Sequence, residues 1–158
     1  MIFVVSDTHN DINKLSSLLD EYGSCFSHII HLGDLASDVL PLIKRFDKLN
    51  FIAVKGNCDY NGDFLDEQVL DICGKRFFIT HGHRYSVKSN RLNITLRAKE
   101  LKADICLFGH THISEAFYDE GILFVNPGSL SRPVMGNKKS AVTIDVVKNG
   151  FVYNFMYF

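Results

Sequence analysis

Short unbroken apolar runs and helically spaced apolar stripes alternate along the first third of the chain. Ile2 to Val5 is a continuous β-favouring run, the pattern of a strand covered on both faces. Ile12, Leu15, Leu18, Leu19 and Tyr22 follow at helical spacing, and Gly23 closes that helix. Ile29 to Leu32 is a second short strand. Val39, Leu40, Leu42, Ile43 and Phe46 predict a second helix with Pro41 near its start, and Phe51 to Val54 a third strand. Strand, helix, strand, helix, strand argues for a parallel sheet with helical crossovers.

The second half reads differently. Gln68 to Cys73 and Arg76 to Thr80 flank Gly74-Lys75 as a hairpin. Val87 to Leu101, with Leu92, Leu96, Ala98 and Leu101 among basic residues, reads as a surface helix. Ile105 to Phe108 is another buried strand. Ala116 to Tyr118 and Ile122 to Val125 flank Asp119-Glu120-Gly121. Ala141 to Val147 and Phe151 to Phe158 flank Lys148-Asn149-Gly150, where Asn-Gly is a strong hairpin signal. The pattern shows no repeat, low-complexity tract or linker, so one α/β domain with mixed sheets is expected over residues 1–158.

Composition changes this picture little. Apolar residues make up 46% and charged residues 22%, ordinary values for a globular chain. A net charge of −1 gives no bulk attraction to nucleic acid and no polybasic membrane anchor. The basic stretch Lys88, Arg91, Arg97, Lys99, Lys102 reads as the solvated face of a helix. No run approaches the ~18 apolar residues of a membrane span. Met1 to Val5 is too short and lacks the basic flank of a signal peptide. The four cysteines, Cys25, Cys58, Cys73 and Cys106, form no C-x-x-C pair. Cys25, Cys73 and Cys106 lie in or beside apolar stretches and read as small core residues. A cytoplasmic location is expected.

Five polar clusters each follow an apolar run: Asp7-Thr8-His9, Gly33-Asp34, Gly56-Asn57-Cys58-Asp59, His81-Gly82-His83 and Gly109-His110-Thr111-His112. In an α/β sheet the carboxyl ends of parallel strands line one edge, where such clusters converge. Taken singly, each has an ordinary alternative. Asp7 caps a helix, Asp34 and Asn57 form turns, and His9, Asp59 and His83 sit in solvent. Taken together they hold five of the seven histidines, each cluster closing a strand, which points to a site for divalent metal ions. His28 reads as structural. His31 is left between a structural role and support of a metal ligand.

The order D-x-H, G-D, G-N-x-D, H-G-H, G-H-T-H resembles the calcineurin-like metallophosphoesterases, and among them the small bacterial and archaeal phosphodiesterases of the YfcE type. The resemblance runs from Asp7 through Asn126-Pro127-Gly128-Ser129. It implies a four-layer αββα sandwich of two mixed sheets flanked by helices. It further implies two divalent ions, Mn²⁺ first with Ni²⁺, Fe²⁺ and Zn²⁺ as other occupants. Asp7, His9 and His112 would bind one ion, Asn57, His81 and His110 the other, and Asp34 both. A carboxylate shared in this way holds two ions ~3.5–4 Å apart, and a water between them becomes the nucleophile.

Asp34 and Asn57 would thereby serve catalysis. Asp59 would orient neighbouring groups, and His83 would contact substrate or position water. Many relatives read G-N-H-D, where the histidine protonates the leaving oxygen or holds phosphate. Here Cys58 stands in its place, as in the YfcE-type proteins, which suggests an ester whose leaving group needs little protonation. After Asn126-Pro127-Gly128-Ser129, either an ordinary turn or a loop at the site rim, Arg132 is a candidate to grip a phosphate oxygen. The expected activity is hydrolysis of a small phosphate ester, a diester before a monoester. The alternatives are a non-catalytic scaffold of the same shape, disfavoured by the complete ligand set, and a nuclease, disfavoured by the charge. The apolar end, Phe151 to Phe158, is expected to be a core strand, to cover a sheet edge or to make a dimer contact.

Overall fold

The computed structural model describes residues 1–60 and 64–158. Among the described residues ten strands form two five-stranded sheets. One has the order β10 (Gly150–Tyr157), β9 (Ser140–Val147), β1 (Ile2–Val5), β2 (His28–His31), β3 (Asn50–Ala53). The other has the order β4 (Glu67–Ile72), β5 (Lys75–Thr80), β6 (Ile105–Leu107), β8 (Ile122–Pro127), β7 (Ser114–Asp119). Both are mixed. β1, β2 and β3 run parallel in the first, and β5, β6 and β8 in the second, with antiparallel strands at the flanks.

The strand alternation explains four layers. Ile2 and Val4 of β1 face a core shared with Ile30, Phe77, Ile79, Leu107, Leu123 and Val142, so that core lies between the sheets. Phe3 and Val5 point the other way, onto Leu15, Leu18 and Leu19 of helix α1 (Ile12–Tyr22). On the far side Phe78, Cys106 and Phe124 meet Ile94 and Ala98 of helix α3 (Leu92–Glu100). Each fully buried Leu or Phe contributes about 1.5–3 kcal/mol, so the unbroken apolar runs are what both faces of a central strand require. Among the described residues no helix is long and apolar enough to cross a membrane.

Gly23 closes helix α1 as expected, with right-handed backbone (φ −54°) that runs on into a 3₁₀ turn, Gly23–Cys25. Several expectations are corrected in detail. Helix α3 starts five residues later than the apolar spacing suggested, because His83–Tyr85 forms a 3₁₀ turn and Ser86 reverses the backbone at φ 55°. Its buried stripe is Ile94, Thr95 and Ala98, while Leu92 and Leu96 face solvent. The first hairpin turns at Cys73-Gly74, one residue earlier than expected, since Ile72 pairs with Lys75. Cys25 and Cys73 are therefore exposed turn residues; only Cys106 is the core cysteine expected. β10 is an edge strand that also packs on the cores: Phe155 and Met156 are directed to them, while Val152, Tyr153 and Tyr157 are exposed.

Helix α2 (Leu40–Arg45) follows a 3₁₀ turn, Ala36–Val39, with Pro41 in its first turn as expected. In the basic stretch, Arg91 pairs with Glu115 (2.6 Å), Arg97 with Glu67 (2.6 Å) and Lys99 with Glu120 (3.0 Å). Three of the five basic residues of that stretch are matched in this way.

Candidate metal centre

The strand-end clusters meet across the gap between the sheets. The Asp7 amide donates to the Gly33 carbonyl (3.0 Å), and the Gly109 amide to the His81 carbonyl (3.0 Å). The His110 amide reaches Oδ2 of Asp7 at 3.3 Å, joining one sheet to the other. To aim their side chains inward, several of these residues leave their strands left-handed: Asp7 (φ 55°), His9 (45°), Asp34 (57°), His110 (70°) and His112 (60°). Such backbone costs about 1–2 kcal/mol for each residue bearing a Cβ, and tertiary contacts hold it in place.

Asp7, His9, Asp34 and His112 each bring one ligand atom within 4.8 Å of the others. Nε2 of His112 lies 3.0 Å from Oδ1 of Asp7, and Nε2 of His9 lies 3.8 Å from Oδ2 of Asp34. Nδ1 of His112 donates to the Arg132 carbonyl (2.5 Å), which turns Nε2 toward the Asp7 carboxylate. Oδ1 of Asp7 and Nε2 of His9 are buried without a hydrogen-bond partner.

A second group stands beside the first. Nδ1 of buried His81 donates to the Leu32 carbonyl (2.7 Å), which leaves the Nε2 lone pair pointing inward. It meets Oδ1 of Asn57 at 3.2 Å, Nδ1 of His110 at 3.2 Å and Oδ1 of Asp34 at 3.4 Å. Acceptors converge in both groups with too few protons between them. A divalent cation satisfies such a set, and imidazole, carboxylate and amide oxygen are its usual donors. The residues present therefore fit the metal site that the motifs suggest.

The charges agree with this. Burial pushes the Asp7 carboxyl up, but His112, His81 and Ser6 outweigh it and leave its pKa below the ordinary value. Asp7 in turn raises His112. Burial lowers His9. Burial, with His81 and Lys88, lowers His110 to about 4. His9 and His110 are thus neutral near pH 7, the state a metal ligand needs.

The remaining expected residues fall into three places. Asp59 gives its two oxygens to backbone amides, Oδ1 to Ala36 (2.8 Å) and Oδ2 to Gly56 (2.7 Å), so its contacts tie loops together. Cys58 donates its amide to Oδ1 of Asp34 (2.9 Å), and its thiol sits beside the Asn57 amide (3.4 Å). The His83 ring lies 5.3 Å from that of His81, tilted by 53° to it, with a buried, unpartnered Nδ1. Arg132 is exposed, yet near enough that its charge helps depress His9.

Sequence reasoning missed the supports. Buried Asn126 donates to the Gly109 carbonyl (2.9 Å) and Thr111 Oγ1 (3.0 Å), and Ser129 and Ser131 both donate to the Asp7 carbonyl (2.9 Å). The Asn-Pro-Gly-Ser motif marked this loop without saying what it holds. Thr8, His31 and Asp38 form a buried polar chain. Only the polar His31 inside an apolar strand hinted at it. A cavity of about 380 Å³ lies elsewhere, lined by Asp66, Glu67, Thr80, Arg84, Tyr85 and Arg97. None of the candidate ligands lines it, and its charges pair among themselves.

Residues 1–149 match the model of the calcineurin-like phosphoesterase superfamily domain. The chain is 36% identical to the probable metallophosphoesterase YsnB of Bacillus subtilis over 84% of its own length and 76% of that protein's. It is 32% identical to the phosphodiesterase MJ0936 of Methanocaldococcus jannaschii, over 80% of this chain and 82% of that one. Its fold superposes on a predicted phosphoesterase of Streptococcus pneumoniae with a TM-score of 0.86 at 28% identity, covering 99% of this chain and 88% of the other.

Proposed function

Because the chain belongs to the calcineurin-like phosphoesterase superfamily, we propose that it is a metal-dependent phosphodiesterase working with two divalent ions. The carrying observation is the Asp34 carboxylate. It is 3% exposed, with Oδ2 toward His9 and Oδ1 toward His81, so one side chain serves both donor groups. Asp7, His9 and His112 complete one set; Asn57, His81 and His110 complete the other. Mn²⁺ is the preferred occupant, with Ni²⁺, Fe²⁺ and Zn²⁺ acceptable to the same donors. When bound, such a pair supplies a water acidic enough to attack at neutral pH and neutralises the phosphate oxygens.

The chain's own residues aim and complete this chemistry. The backbone carbonyls of Leu32 and Arg132 fix the tautomers and ring planes of His81 and His112. His83, with its free Nδ1, can bond a substrate oxygen or orient the attacking water. Arg132 brings a guanidinium to the phosphate from the rim. Cys58 keeps its proton: burial and the neighbouring Asp34 push the thiol up to about 11. So weak an acid gives little help to an alkoxide leaving group, which favours aryl or otherwise activated esters. The phosphodiesterase name of the M. jannaschii relative supports a diester. No serine or cysteine nucleophile is needed.

On the same reading the enzyme works in the cytoplasm on a small substrate. The matched charges of α3 and its surroundings speak against a nuclease, and the complete donor set speaks against a scaffold without activity. Metal analysis combined with hydrolysis of aryl phosphate mono- and diesters tests it. Asp34→Asn should lose bound metal and about 10³-fold in turnover, the scale on which a single charge-stabilising group acts. Turnover untouched by that change or by chelation would overturn the mechanism. Faster hydrolysis of the monoester would overturn the diester preference.

A further inference from the structure

Asp34 leads into the 3₁₀ turn Ala36–Val39, and that turn is fastened on two sides. On one side Oδ2 of Asp38, a residue 6% exposed, accepts hydrogen bonds from Oγ1 of Thr8 (2.6 Å) and the Asn10 amide (2.9 Å). The Gly33 amide donates to Nδ1 of His31 (3.1 Å). An amide can only donate, so the His31 proton sits on Nε2 and points at Thr8 Oγ1, 2.9 Å away. A single chain of donors thus runs from the amide before Asp34, through His31 and Thr8, to Asp38 behind it. Thr8 stands between Asp7 and His9. On the other side the Asp59 carboxylate joins the Ala36 amide to the Gly56 amide, drawing in the loop that carries Asn57.

We propose that the Ala36–Val39 turn is a two-sided bracket that sets the placement of the two donor groups about Asp34. Asp38, acting through Thr8 and His31, positions the Asp7 and His9 side; Asp59 positions the Asn57 side. All four are positioning residues, and the inference rests on the two-ion reading. His31 and Thr8 are fully buried, so water does not replace a lost partner there. Removing the partner that orients a metal ligand typically costs about 10–100-fold in metal affinity.

The test is Mn²⁺ titration by calorimetry on the metal-free protein, with the folded fraction of each variant followed by urea unfolding. Wild type should take up two ions. Thr8→Val, which keeps the shape and removes the hydroxyl, should weaken one ion about 10–100-fold, and Thr8→Ser should restore it. Asp59→Asn should weaken the other. Their sides separate in a His110→Ala background, where only the first donor set is complete: Thr8→Val should weaken the remaining ion and Asp59→Asn should not. If Thr8→Val does not fold, Asp38→Asn takes its place in the same measurement. Wild-type affinity for both ions in Thr8→Val and Asp59→Asn, or equal weakening of both ions by either change, overturns the bracket. A wild type that takes up no Mn²⁺ overturns the two-ion reading itself, and the bracket with it.

Discussion

The two ends of the parallel strands use left-handed backbone for opposite reasons. At their amino ends lie the three hairpin turns, Cys73-Gly74, Glu120-Gly121 and Lys148-Asn149. Cys73 (φ 51°) with Gly74 (76°), and Glu120 (52°) with Gly121 (80°), have both central residues left-handed, as two-residue hairpins prefer. Those glycines border open space. At the carboxyl ends the left-handed residues include Asp7, His9, Asp34, His110 and His112, and the neighbouring glycines are crowded. A methyl on Gly109 would overlap Ser6 Oγ and lie 3.1 Å from Oδ2 of Asp7; one on Gly56 would overlap the Asp34 carboxylate. The turns are shaped by local preference, the site by packing that overrides it.

That contrast breaks most visibly at Gly109. No left-handed backbone is required of it, so Gly109→Ala adds a methyl and nothing else, against Ser6 and Asp7. Overpacking of this kind typically costs about 1–3 kcal/mol, and it should displace Asp7 from its donor set. Urea unfolding and Mn²⁺ uptake measure the two effects. Wild-type values for both would mean that the site end has slack that the close contacts deny.

A second test acts through acid. Burial lowers the His31 pKa from 6.5 to about 4, despite Asp38 nearby. The unfolded chain therefore binds this proton first as pH falls. Stability from a neutral His31 is complete above pH 6.5, is lost between 6.5 and 4, and totals about 3 kcal/mol at most. His31→Asn should flatten that part of the pH–stability curve of the metal-free protein. An unchanged difference between wild type and variant from pH 7 to 4.5 would show that the ring is charged, or hydrated, in the fold.

The same contrast explains how much of the fold and the site is legible in the sequence. β1, β2, β6 and β8 are legible because the middle of each is apolar on both faces, and the clusters after β1, β2 and β6 because glycine, histidine and aspartate interrupt those runs abruptly. Bonds between residues far apart in the chain are not legible. Thr8 meets His31 and Asp38 only after β1 and β2 pair in register, and nothing local distinguishes Asp38 from an exposed aspartate. Asp59 carries the motif of a catalytic group, yet its oxygens belong to two amides. Helix α3 misleads for a related reason: Leu92 and Leu96 have the right spacing for a buried stripe, but the sheet accepts the stripe bearing Ile94 and Ala98.

The hairpin end offers the smallest effect and the cleanest control. Gly121 sits at φ 80° with nothing near the position a methyl would take. Gly121→Ala therefore pays only for left-handed backbone, about 1 kcal/mol. Gly121→Asn should cost less still, because asparagine tolerates that conformation. Both should bind Mn²⁺ and hydrolyse an aryl diester as wild type does, since β8 separates the turn from Asn126 at its other end. Paired with Gly109→Ala, the measurement isolates crowding from conformation: the same added methyl, at two glycines, differing in what surrounds it. A loss of Mn²⁺ affinity in Gly121→Ala would mean that strain travels the length of β8 to the site, and that the two ends are not independent.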